Sequence, residues 1–170
     1  MLSESARMTT AAALRFRIQE PNARARATSV IALDPASEPF VARLAEDRWN
    51  HATFLKSPED VGAAGPDADE GWLTTFDGRR TRIREAVDSA DQVIMVAAAG
   101  GRADAAALVG RACSDRRVTT TALIVGAADA ADAADADISK TLAQLRPWSL
   151  MVVIASSDDY VRDMMTALRV

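Results

Sequence analysis

Apolar residues along this chain cluster in short runs separated by longer amphipathic segments. Five runs predict β-strands, at residues 28–34, 51–55, 92–99, 118–126 and 149–156. The run at 92–99, QVIMVAAA, has hardly a polar residue. A continuous apolar run of this length is typical of a strand that is buried on both faces of a sheet.

Between the runs, apolar residues recur with the spacing of a helix. In the segment 102–117, Ala105, Leu108, Val109 and Ala112 stand at i, i+3, i+4 and i+7, which places them on one helical face. The same spacing predicts four more helices, in the segments 35–49, 78–90, 138–148 and 158–170. Ser37 is the predicted N-cap residue of the first of them.

Alternating strands and helices predict an α/β fold, because parallel strands need crossover helices that cover both faces of the sheet. We expect a three-layer sandwich with a mostly parallel five-stranded sheet, Rossmann-like or flavodoxin-like. A single domain is predicted over 28–170, after an N-terminal tail or added edge element at 1–27. Residues 56–71, rich in proline, glycine and acids, predict a loop, and the Ala/Asp repeat at 127–137 predicts a solvated loop or a helix start.

Composition and charge narrow the class of protein. The 170 residues are 49% hydrophobic and 26% charged, which is ordinary for a globular domain, and the net charge is −4. This acidic balance argues against nucleic-acid and membrane-surface partners, which attract basic faces. With one cysteine, Cys113, no internal disulfide is possible, which suits a reducing compartment. The sequence lacks an 18-residue apolar run and a secretion signal, so we expect a cytoplasmic protein.

Open parallel sheets bind ligands beyond the carboxyl ends of their strands, where the strand order reverses. The segments that follow the first, third, fourth and fifth predicted strands therefore supply the candidate ligand-binding residues. These candidates are Asp34, Ser37, Gly100, Gly101, Arg102, Gly126, Ser156, Ser157 and Asp158.

The stretch AAAGGRAD, residues 97–104, has two interpretations. Gly100 and Gly101 would let the backbone approach a phosphate at the start of the following helix, and Arg102 could add a bidentate contact. Asp104, in the first turn of that helix, could instead satisfy the same N–H groups and would repel a phosphate. The stretch is then a tight structural corner, and the sequence leaves both hypotheses open.

The sequence contains few residue patterns that are typical of a catalytic site. Asp34, Asp158 and Asp159 could hold Mg²⁺ or a ribose hydroxyl at the sheet edge, although the last two are equally typical of helix capping. His51 is the sole histidine, and Cys113 sits among apolar residues of a predicted helix. The sequence contains neither a GxSxG elbow nor a GxxxxGK[ST] loop. We therefore assign no catalytic residue, no metal site and no cofactor.

The order of the segments resembles the nucleotide-binding domain of the tubulin and FtsZ superfamily. The resemblance covers roughly 28–160 and is sharpest over 83–126, where IREAVDSADQVIMVAAAGG leads into VTTTALIVG. It implies nucleotide binding, and it places Gly100 and Gly101 on the glycine loop of that family. The first corner, DPASEP, has no glycine, unlike the family. The same stretch also resembles the phosphosugar-binding SIS domains, with alanines where that family has serines.

The sequence thus predicts a small binding or regulatory domain without a self-contained catalytic apparatus. A homodimer is one expected state, with the methionine-rich final helix YVRDMMTALRV as one source of its interface. The alternative is an enzyme or binder that acts on a nucleotide or phosphorylated metabolite at the Gly100–Gly101–Arg102 loop. A phosphate-containing small molecule is the partner which that alternative implies.

Overall fold

The computed structural model describes residues 26–57, 71–126, 133–155 and 157–170, which form an α/β fold around a mostly parallel sheet. The seven strands are β1 (Thr28–Ala32), β2 (Ala52–Lys56), β3 (Trp72–Thr75), β4 (Arg80–Arg82), β5 (Gln92–Ala98), β6 (Thr119–Val125) and β7 (Met151–Ile154). The helices are α1 (Glu38–Ala45), α2 (Ile83–Asp88), α3 (Ala105–Arg116), α4 (Ala133–Leu145) and α5 (Asp158–Ala167), with a 3₁₀ turn at Arg146–Trp148.

The strands lie in the order β4-β3-β2-β1-β5-β6-β7. Apart from the β3–β4 hairpin, the sheet has five strands, and each pairs in parallel with its neighbours among β2, β1, β5, β6 and β7. Counted among themselves, these five have the order 2-1-3-4-5, which is the order of flavodoxin-like sheets. The chain reverses its direction of travel across the sheet between β1 and β5, so the candidate ligand crevice lies at their carboxyl ends.

The five predicted strands are all present, but the prediction of a five-stranded sheet was wrong. An antiparallel hairpin, β3–β4, extends the sheet beyond β2. Its turn contains Gly78, with φ of +89°, a conformation that glycine adopts without strain. The predicted helix over 78–90 is corrected accordingly, because Arg80–Arg82 is a strand and the helix begins at Ile83.

The buried hydrophobic residues of the core form two clusters. Alternate residues of the central strands belong to different clusters, so Ile31 joins one and Val30 the other. The first cluster contains buried residues of α2, α3 and α4, and the second contains those of α1 and α5. Side chains of β1 and β5 thus meet helices from both clusters, as the continuous apolar runs predicted.

Hydrogen bonds fasten the residues at the start of β1 to Arg169, beyond α5, and to the start of β5. The backbone N–H of Arg26 donates to the carbonyl of Arg169 at 3.0 Å, and that of Ala27 donates to the Asp91 carboxylate at 2.9 Å. The buried side-chain amide of Gln92 donates to the Thr28 hydroxyl at 2.8 Å. In the part of the chain that the structure describes, no helix is long and apolar enough to span a bilayer.

A glycine in α3 makes room for a tryptophan. Gly110 is buried beneath Trp148, so that a Cβ atom at position 110 would lie 2.5 Å from Cβ and 2.9 Å from Cγ of the tryptophan. The Arg111 guanidinium lies over the same ring, 5.7 Å from its centroid. This close approach brings the 3₁₀ turn against α3 and closes one side of the first cluster.

We expect Gly110→Ala to destabilise the protein, although alanine in a helix interior ordinarily stabilises by about 1 kcal/mol relative to glycine. The clash with Trp148 outweighs that gain, since overpacking costs about 1–3 kcal/mol. Urea unfolding monitored by circular dichroism measures the change. In the Trp148→Gly background, which removes the Cβ atom together with the ring, the same substitution should become neutral or stabilising, and equal effects in both backgrounds would contradict this explanation.

Candidate functional site

Asp34 lies two residues beyond Ala32, the last residue of β1, and is only 5% exposed. One of its carboxylate oxygens, Oδ2, accepts the backbone N–H of Ala98 at 3.0 Å, and Oδ1 accepts that of Ser37 at 2.9 Å. Ala98 is the last residue of β5. The carboxylate therefore joins the ends of β1 and β5 at the point where the sequence predicted a ligand.

Burial raises the pKa of the Asp34 carboxyl above its usual range, because the charged form loses its water. Backbone N–H groups of Ala98, Ser37 and Ala36 oppose this shift by stabilising the charge. A raised pKa means that the folded state holds the Asp34 proton more tightly than the unfolded chain does. The contribution of Asp34 to stability is therefore largest at acid pH and falls as the pH rises through the folded pKa.

Ser37 stands at the N-cap position of α1, as predicted, but it does not cap the helix with its side chain. Its backbone is already helical, and its fully buried hydroxyl donates toward the carbonyls of Asp34, at 2.9 Å, and Val96, at 3.1 Å. The side chain thus ties the loop after β1 to β5. Its oxygen is enclosed, away from any ligand at the surface.

The two glycines after β5 form a tight corner. Gly100 has φ of +78°, which favours glycine. Its N–H donates to the Thr141 hydroxyl at 3.0 Å, and the N–H of Gly101 donates to the Ala98 carbonyl at 2.9 Å. A Cβ atom at Gly101 would lie 2.8 Å from Oδ2 of Asp34. Within this structure, the missing side chain of Gly101 gives space to the buried carboxylate.

Two polar residues of α4, which the sequence analysis missed, close the corner from the other side. Thr141 is fully buried and meets Gly100, and the Gln144 carbonyl oxygen accepts the N–H of Ala103 at 2.7 Å. Both residues stand among the apolar positions Ile138, Leu142 and Leu145. Polar side chains on the inward side of an amphipathic helix are the signal that could have found them.

Arg102 is the candidate residue most open to solvent. Its side chain is 88% exposed, and its guanidinium contacts the Asp104 carboxylate, with Nη2 at 2.8 Å and Nε at 3.0 Å. From the sequence, these two residues have opposite expected roles, Arg102 as a phosphate ligand and Asp104 as its competitor. In the structure they form an exposed ion pair in front of α3.

The contacts of the remaining candidate ligand-binding residues are with groups other than Asp34. Gly126 is exposed, with φ of +77° and open space around its Cα. Ser157 caps α5 by accepting the N–H of Tyr160 at 3.2 Å, and Asp158 binds Arg43 of α1 at 2.9 Å. Capping of the last helix, predicted for Asp158 and Asp159, therefore comes from the preceding serine. Ser156 lies outside the described residues.

The structure thus gathers Asp34, Ser37 and Gly101 by direct contact. Among the described residues, no group of three or more histidine, cysteine and acidic side chains is arranged to hold a metal ion. Cys113 is fully buried, which raises the pKa of its thiol to about 12, and His51 is exposed before β2. A thiol with that pKa is almost wholly protonated near neutral pH and is a poor nucleophile.

Comparison with known proteins does not assign this chain to a family. No protein-family model matches the chain, and no curated protein matches its sequence significantly.

We expect Asp34→Asn to cost about 1–3 kcal/mol of the free energy of unfolding at pH 7. Asparagine keeps one acceptor oxygen but turns an NH₂ group toward a backbone N–H, so one buried donor loses its partner. Because the wild-type carboxyl has a raised pKa, the cost should grow as the pH falls toward 4. Urea titrations of both proteins between pH 4 and 7 measure this difference.

Asp158→Asn is the matched control, since it removes a half-exposed carboxylate from an ion pair at the same edge of the sheet. We expect it to change stability by less than about 1 kcal/mol. A cost for Asp34→Asn no larger than that of the control, or one that shrinks toward acid pH, would contradict the role given to Asp34.

Proposed function

We propose that this protein is a binding or regulatory domain without a catalytic apparatus of its own. The observation that carries the proposal is that the polar groups at the carboxyl edge of the sheet form hydrogen bonds with other groups of the protein. Asp34, the acid placed best to orient a ligand, is buried and accepts two backbone N–H groups. A carboxylate that is 5% exposed and already holds two backbone N–H groups offers little accessible surface to a substrate.

The glycine corner supports the same conclusion. A phosphate cradle needs backbone N–H groups that point at the anion. At this corner the N–H groups of Gly100, Gly101 and Ala103 donate to groups of the protein, three of which belong to α4. A phosphate at this place would have to compete with Thr141, Gln144 and the Ala98 carbonyl.

The alternative is an enzyme or binder that takes a nucleotide or phosphorylated metabolite at this loop. One observation favours it, namely that the Arg102 guanidinium is exposed beside the start of α3. Its partner Asp104 is also half exposed, so an incoming anion could replace an ion pair of low stability. The alternative therefore rests on Arg102 more than on the glycines.

We also propose that the fold is a three-layer sandwich of the flavodoxin-like kind. The order of the parallel strands and the two hydrophobic clusters support this proposal. The resemblance to the tubulin and FtsZ superfamily, and that to SIS domains, stay predictions. The first is supported by the order of the segments over 28–160 and by Gly100 and Gly101, and the second by the strand and loop around the same two glycines.

A panel of nucleotides, sugar phosphates and inorganic phosphate, with and without Mg²⁺, tests the choice in a thermal-shift measurement. We expect the melting temperature to stay within about 1 °C of the free protein throughout the panel. A ligand present at 100 times its Kd would stabilise the protein by about 2.7 kcal/mol, or roughly 5–10 °C for a domain of this size.

Arg102→Ala and the exposed Arg48→Ala form the control pair. A shift of several degrees that disappears in Arg102→Ala and persists in Arg48→Ala would establish the phosphate site, favour the alternative and overturn the claim that the carboxyl edge is closed to ligands. A shift that survives both substitutions would place a ligand elsewhere on the domain.

A further inference from the structure

The two edges of the described sheet differ in character. The edge strand β4 is three residues long and carries Arg80 and Arg82, whose guanidinium groups lie 5.1 Å and 5.3 Å from the Trp72 ring centroid. Charged side chains on a short edge strand prevent pairing with other chains. On the opposite edge, β7 has the sequence MVVI and presents no charge.

The β7 edge is also exposed. Met151 is 40% exposed, Ile154 is 48% exposed, and Leu150, which precedes the strand, is 81% exposed. Among the described strands, β7 pairs with β6 alone. An apolar edge without a charge is a template for another strand. Within the described residues, the sheet is therefore protected from further pairing at β4 and able to pair at β7.

We propose that β7 pairs antiparallel with β7 of a second copy of this chain, across a two-fold axis at Val153. The two sheets would then form one continuous sheet through the dimer. This inference is independent of what the carboxyl edge of the sheet binds.

The backbone of β7 determines this register. Ala155 donates its N–H to Ile124 of β6, and alternate residues of a strand point their backbone groups to the same side. Met151, Val153 and Ala155 therefore point toward β6, whereas Val152 and Ile154 point to the free edge. An axis at Val153 sets Val152 opposite Ile154 of the second copy, so these two residues of each copy complete four hydrogen bonds.

The side chains are self-complementary in the same register. Val152 packs with the first hydrophobic cluster and Val153 with the second, so the two faces of β7 are both apolar. Val152 meets Ile154 of the second copy on one face, and Val153 meets its own equivalent on the other. β-Branched side chains pack well against cross-strand neighbours on a pleated sheet.

Charge at the two ends of β7 favours the antiparallel direction. The exposed Arg146 precedes the strand, and Asp158 and Asp159 follow it. Within one copy Asp158 is paired with Arg43, and Asp159, whose side chain is 94% exposed, is paired with Arg162. Surface ion pairs of this kind are weak, so Asp159 stays accessible to a basic group of a second copy. Antiparallel pairing brings the basic end of one copy beside the acidic end of the other, whereas parallel pairing would bring like charges together. The final helix is less suited to the interface, because it buries Val161 and Met165 in the core.

Analytical ultracentrifugation of the wild-type protein tests the dimer, with Ile154→Arg as the disrupting variant. We expect a wild-type dimer, and a dissociation constant at least about tenfold higher for Ile154→Arg, whose charge would be enclosed in the new sheet. Phe76→Arg, which alters a similarly exposed residue on the β3–β4 turn, should leave the dimer intact. A monomeric wild-type protein, or a dimer insensitive to Ile154→Arg, overturns the proposal.

Single cysteines test the register even if the arginine variant unfolds. In the proposed dimer the two copies of residue 153 form a non-hydrogen-bonded pair, whose Cα atoms lie about 4.5 Å apart, within the range for a disulfide. Val153→Cys should therefore cross-link under mild oxidation, and Ile154→Cys, which faces Val152, should not. The buried Cys113 gives the wild-type background no cross-link of its own. Cross-linking of Ile154→Cys alone, or of neither variant, contradicts the axis at Val153.

Discussion

Burial of the central strands on both faces is the constraint from which the rest of the structure follows. Val30 and Ile31 of β1, and Ile94 and Met95 of β5, have no exposed surface. A strand in this position cannot reach water with its backbone, so it must pair on both sides, as β1 does with β2 and β5. Its side chains also need helices on both faces, which makes the connections long and the strands parallel.

The same constraint explains what occupies the carboxyl edge. The backbone ladder of β1 with β5 ends near Leu33, whose N–H donates to Val96, while β5 continues for two more residues. The N–H of Ala98 would then have no partner from the backbone of β1. The Asp34 side chain supplies the acceptor, so it extends the ladder by one step after the main chain has turned away. A carboxylate that a sequence suggests as a ligand can therefore belong to the sheet itself.

The sequence was sufficient to predict those strands and helices whose burial leaves a strong hydrophobic pattern. The run at 92–99 and the stripe at 102–117 predict β5 and α3 to within three residues at either end. The β3–β4 hairpin could not be predicted from the hydrophobic pattern, because β3 has one fully buried large residue, Leu73, and β4 has none. Its one local signal was Asp77–Gly78, a pair that favours hairpin turns. For the site, spacing could bring Asp34 and Gly101 to one edge, but it could not show that the carboxylate turns inward.

The bond between Arg26 and Arg169 has a consequence for the way this domain can be connected. The chain enters β1 and leaves α5 at one place, since the two residues are a single hydrogen bond apart. Domains whose ends meet in this way tolerate circular permutation and insertion into the loops of other proteins. A short linker would join the two ends without strain, and the strand order would survive the new starting point.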